Sequence, residues 1–106
     1  MSNANRRASH RFIMKVPLRL RSVKAPPLAE CAVQSMNIST RGVYFATDLP
    51  LREGQLIQVL FRMPEEISES GGNERRFTCR VAHVQPHGFA NGMSGVGVQF
   101  LYYELM

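Results

Sequence analysis

The chain has 106 residues and a mass of 12.0 kDa, enough for one domain with a modest core. Its 44% hydrophobic and 20% charged residues exclude wholesale disorder, and no apolar run approaches the ~18 residues of a membrane-spanning helix. No charged-then-apolar leader opens the sequence, so membrane insertion and secretion are disfavoured and a cytoplasmic setting is expected.

The net charge of +5 is unevenly placed. Residues 1–29 carry seven bases (Arg6, Arg7, Arg11, Lys15, Arg19, Arg21, Lys24) and no acid, whereas residues 30–106 carry six bases against eight acids, a net of −2. Arginine outnumbers lysine eleven to two. A planar fork of five donors suits bidentate binding of oxyanions or guanine edges, so the N-terminal segment points to an anionic partner.

In chain order, Met14, Val16, Leu18 and Leu20 alternate with polar residues and Pro17, which predicts a half-buried strand at an edge or with a bulge at the proline. Ala25-Pro26-Pro27 ends it. From Ala29 to Ile38 the apolar phase slips by one residue, from Cys31 and Val33 to Met36 and Ile38, which predicts a bulge or a crossing between barrel faces. Val43–Ala46 is a third strand, closed by Asp48 and Pro50. Ile57, Val59, Phe61 and Met63 alternate in a fourth, and the polar stretch Pro64–Asn73 reads as an exposed loop. Phe77, Cys79, Val81 and His83 alternate in a fifth. A second loop, Pro86–Gly95, leads to Val96, Val98, Phe100 and Tyr102. No stretch shows a helical stripe, so six or seven short strands predict a small antiparallel barrel or sandwich.

Cys31 and Cys79 read as free, buried thiols, with no neighbouring thiol to make a metal knuckle. Ser39, His83 and Asp48 could be nominated as a hydrolytic triad, but nothing around Ser39 marks a nucleophile, and an enzyme is not expected. His10, His83 and His87 read as surface imidazoles rather than metal ligands, because a spacing of four shares a face only on a helix. Residues 92–97 lack the glycine order of a dinucleotide fingerprint and precede a strand rather than a helix. No metal and no cofactor is therefore expected.

Two stretches stand apart. Arg7-Ala8-Ser9-His10-Arg11 lies ahead of the first strand, with Arg6 before it, and Asn37-Ile38-Ser39-Thr40-Arg41-Gly42 leaves one strand for the next. Taken singly, they read as a solvated basic tail and an ordinary turn. Taken together and in this order, they resemble the PilZ family, whose signature is RxxxR followed ~20 to 30 residues later by [D/N]xSxxG. The Val43-Tyr44-Phe45 strand and the closing Gly95–Phe100 stretch are also PilZ-like, so the resemblance runs from about Arg6 to Tyr102.

The resemblance implies an all-β fold: a six- or seven-stranded antiparallel barrel of the split-barrel type over residues 13–106, with little or no helix. A flexible basic arm would occupy residues 1–12. It implies a receptor for the bacterial second messenger cyclic di-GMP. Arg7 and Arg11 would grip guanine edges and phosphates from the arm, Asn37 and Ser39 would bond a guanine edge, and Gly42 would let the turn approach the ligand. An arginine at the position of Arg6 goes, in that family, with binding of two stacked ligands. A downstream protein or neighbouring domain would read the ligated surface. No DNA or RNA partner is expected, and the oligomeric state is left open.

Departures from the family pattern are the lack of a helix after the last strand, since the sequence stops at Met106, and Arg41 where a small residue is common. Ser2-Asn3-Ala4 reads as a cloning remnant. Two alternatives remain: an interaction module that binds no ligand, and a small barrel that binds single-stranded nucleic acid through its basic arm. The second is disfavoured by the absence of tryptophan and by Phe45, Phe61, Phe77 and Phe100 lying on the core phase.

Overall fold

In the computed structural model, which describes residues 11–23, 30–67 and 72–105, the alternating stretches become six strands. These are β1 (Pro17–Ser22), β2 (Cys31–Ile38), β3 (Gly42–Thr47), β4 (Leu56–Arg62), β5 (Glu74–Gln85) and β6 (Ser94–Leu105). They close into an antiparallel barrel in the order β1-β2-β3-β6-β5-β4, with β4 pairing back onto β1. Among the described residues a three-residue 3₁₀ turn, Ala90–Gly92, is the only helical element. The choice between barrel and sandwich is thus settled for a closed barrel.

Pro17 stands at the first position of β1, where its missing N–H costs no ladder bond. The strand therefore begins three residues later than the alternation from Met14 predicts. The preceding segment is held to β2 by other means. Ser35, 1% exposed, accepts from the Val16 N–H (2.8 Å) and donates to the Met14 carbonyl (2.6 Å) through its hydroxyl. Its own N–H donates to Val16 O at 2.9 Å. Phe12 and Ile38 exchange backbone hydrogen bonds of 2.8 and 2.9 Å, so the chain runs beside β2 from Phe12 onward.

The predicted phase slip is a bulge between Ser35 and Asn37. Before it the odd residues face inward, and after it Ile38 does. Met36 ends up exposed. Two further bulges, between Val81 and His83 and opposite Thr78 and Cys79, correct the phase of the last two strands. His83, in phase with the core residues of β5 by alternation alone, is exposed, as expected of a surface imidazole. Tyr102 is turned outward as well, and Tyr103 takes the place beside Phe77. A one-residue insertion exchanges the faces of every residue that follows it.

The interior is filled by aliphatic side chains around Leu18, Phe45, Val59 and Val96, all fully buried. At one end Phe77 packs on Phe61 (ring centroids 4.8 Å apart), Phe100 (4.3 Å) and Tyr103 (5.5 Å). The Arg75 guanidinium closes that end, 4.6 Å from the Tyr103 ring centroid. No described helix is long and apolar enough to cross a membrane.

Candidate functional site

The hairpin between β2 and β3 is built by Ser39. Its N–H donates to the Gly42 carbonyl at 2.9 Å, and its hydroxyl accepts from the N–H groups of Arg41 (3.1 Å) and Gly42 (3.3 Å). The residue is 5% exposed, so in this state its hydroxyl shapes the turn from within. Gly42 has a packing reason to be glycine. A Cβ there would lie 2.2 Å from the Val98 carbonyl oxygen of the neighbouring β6 backbone, closer than any side chain tolerates. Thr40 and Arg41 form the exposed tip.

The Phe12–Ile38 bridge delivers Arg11 to this hairpin. The Arg11 Nη1 donates to Asn37 Oδ1 at 3.3 Å, joining residues 26 apart in sequence. Arg11 is exposed and Asn37 half-buried on the outer face. Three of the residues singled out in the second sequence stretch, Asn37, Ser39 and Gly42, and one from the first, Arg11, therefore share one end of the barrel. Arg6 and Arg7 lie outside the described residues.

The register extends the site across the outer surface. Asn37 stands opposite Tyr44, Tyr44 opposite Gly97, and Gly97 opposite His83, a row across β2, β3, β6 and β5. With strands ~4.8 Å apart, it spans roughly 14 Å. A parallel row places Gly42 beside Gln99, and Gln99 beside Arg80. Tyr44 lies over the bare backbone of β6. A Cβ at Gly95 would fall 2.0 Å from its hydroxyl oxygen, and Phe89 flanks the ring at 6.5 Å between centroids. The result is a shelf with a polar end at Arg11 and Asn37, an aromatic wall and a glycine floor. Sequence reasoning missed Tyr44, Gly97, Gln99 and Arg80. The alternation of β3 marks Tyr44 as outward-facing, but only the strand register shows what stands beside it.

Among the described residues no group of three His, Cys, Asp or Glu side chains is placed to hold a metal ion. Cys31 and Cys79 are free, though Cys31 is half-buried rather than buried. Burial pushes the Cys79 thiol up to about 12, so it carries no reactive thiolate at neutral pH.

The chain is thus a closed six-stranded antiparallel barrel with an arginine brought against an Asn-x-Ser-x-x-Gly hairpin on its outer wall. The PilZ domain family model matches residues 5–105, and the chain belongs to the PilZ family. Among solved structures it is similar to the Bacillus subtilis inhibitor of motility MotI/DgrA, with a TM-score of 0.71 at 16% identity. That alignment covers 93% of this chain and 44% of the other, so the likeness is one of fold and spans less than half of that protein. No curated protein sequence matches the chain.

Proposed function

We propose that this domain binds cyclic di-GMP on the outer shelf beside the β2–β3 hairpin and acts as its receptor, without turning it over. The observation that carries the reading is the Arg11–Asn37 contact, because it unites the two halves of the family signature across 26 residues. Membership of the PilZ family and the excess of arginine in the first 29 residues support it.

In this reading Arg7 and Arg11 grip guanine O6 and N7 or the phosphates, where guanidinium forks give charge-assisted, bidentate bonds. Asn37 presents its amide to a guanine edge. Ser39 holds the hairpin in shape and lies beneath the same edge. Gly42 keeps the approach low, and Arg6 favours a second, stacked ligand. Ligation draws the N-terminal arginines onto the ligand and changes the surface offered to a downstream protein in the cytoplasm. The solved neighbour is titled an inhibitor of motility, and control of motility is the output this proposal favours.

Residue-resolved NMR tests the location. Adding cyclic di-GMP is expected to shift the amides of residues 37–44 and 97–99 and the side-chain signals of Arg11, leaving β4, which the row does not reach, unmoved. Shifts spread over all faces, or elicited equally by a short single-stranded RNA, would favour the nucleic-acid reading instead.

A further inference from the structure

Tyr44 stands directly opposite Asn37 across β2 and β3, on the outer face of the barrel. Cβ atoms paired in this way lie about 4.5–5.5 Å apart, so a group bonded to the Asn37 amide comes within reach of the tyrosine ring. The ring runs along β6 over two residues that lack a Cβ. A Cβ built at Gly97 would be 3.5 Å from Tyr44 Cδ1, and one built at Gly95 would be 2.8 Å from its Cζ and 3.0 Å from Phe89 Cε2. A side chain at Gly95 would therefore push the ring off the sheet. Tyr44 is half-buried, so part of the ring stays open to solvent on the wall that also carries the Arg11–Asn37 contact. Packing over strand glycines accounts for an apolar residue at this place, and a leucine would serve it. What a ring adds is a planar π face beside an amide and a guanidinium.

We propose that Tyr44 is a further ligand-binding residue, and that the open part of its ring stacks on one guanine of cyclic di-GMP while Asn37 bonds the edge of the same base. This inference rests on the proposal that the shelf binds cyclic di-GMP, and it adds a residue outside both sequence motifs. A base laid on the ring keeps its polar edge in the base plane, directed sideways along the outer wall. The Asn37 amide borders that wall one strand away, and the Arg11 guanidinium is 3.3 Å from the amide. Face and edge of one base are thus met by neighbouring positions of one cross-strand row. The two contacts divide the work. Every base offers a π face, so stacking supplies affinity whatever the base, whereas the edge bonds of Asn37 select guanine.

The chain has no tryptophan, so Tyr44→Trp places a single fluorescent reporter in the site. Cyclic di-GMP is expected to quench its emission along the saturation curve that calorimetry records, which an equal concentration of GTP should not reproduce. Tyr44→Phe keeps the π face and should bind within about twofold of the wild-type chain. Tyr44→Leu keeps the apolar cover without the face and should bind about tenfold or more weakly, the usual loss when a ring under a base is removed. Thermal melts verify that each variant folds. A merely structural tyrosine would lower the melting temperature of Tyr44→Leu without changing its affinity. If Tyr44→Leu does not fold, the fluorescence of Tyr44→Trp decides. Tyr44→Leu binding as tightly as the wild-type chain, or emission of Tyr44→Trp that is unmoved at saturation, would overturn the proposal and leave the cyclic di-GMP site standing. No saturable binding by the wild-type chain would instead remove the site itself, and this proposal with it.

Discussion

At Gly42 the missing Cβ serves the barrel directly. β3 and β6 approach so closely there that a methyl group would meet the Val98 carbonyl at 2.2 Å, and the obstacle is backbone, which cannot rotate away. Gly42→Ala is therefore expected to destabilise the fold by about 1–3 kcal/mol, the usual cost of overpacking. For a chain of this size that lowers the thermal midpoint by roughly 4–8 °C per kcal/mol, measurable in a melt without any ligand. An unchanged midpoint would mean that glycine is kept there for the ligand alone. Ser39 also acts through the backbone, since its buried hydroxyl accepts from two N–H groups of the turn. Arg11 is different. Its contact with Asn37 is exposed and long, so its removal should cost the fold little.

Among the elements, β5 and β6 carry the most structure, because each is twelve residues long and β5 brings Phe77 to the meeting point of three other rings. Phe77→Ala leaves a void among Phe61, Phe100 and Tyr103. It should cost about 3–5 kcal/mol, read as a lower urea midpoint. A loss under ~1 kcal/mol would mean that the aromatic end is loosely packed. The strands themselves were legible because period-two alternation survives wherever one face is buried, as in Ile57, Val59, Phe61 and Met63. The slip in β2 was legible too, as a change of phase. The bulges of β5 and β6 were not. Valines and aromatics continue the apparent alternation through them, so the pattern placed Tyr102 inward although it faces solvent. The late start of β1 escaped for a similar reason: Met14 and Val16 keep the alternation while Ser35, not a ladder, holds that segment.

For the whole molecule, barrel closure turns two distant sequence stretches into one surface. Because Phe12 bridges Ile38, Arg11 stands beside the Asn37–Gly42 hairpin. Asn37, Ser39, Gly42 and Arg11 were legible as candidates from their order and residue types, but their neighbours Tyr44, Gly97 and Gln99 were not. Those three come into place through cross-strand register, which depends on bulges and closure rather than on local residue preference.

The central claim is that the hairpin and Arg11 together form a cyclic di-GMP site, and paired calorimetric titrations of the wild-type chain and Arg11→Ala at about 0.15 M salt test it most directly. The account predicts saturable binding by the wild-type chain that excess GTP does not displace, weakened about tenfold or more in the variant, which should melt at the wild-type temperature. Binding of equal strength in both proteins, or no binding by a folded wild-type chain, would contradict it.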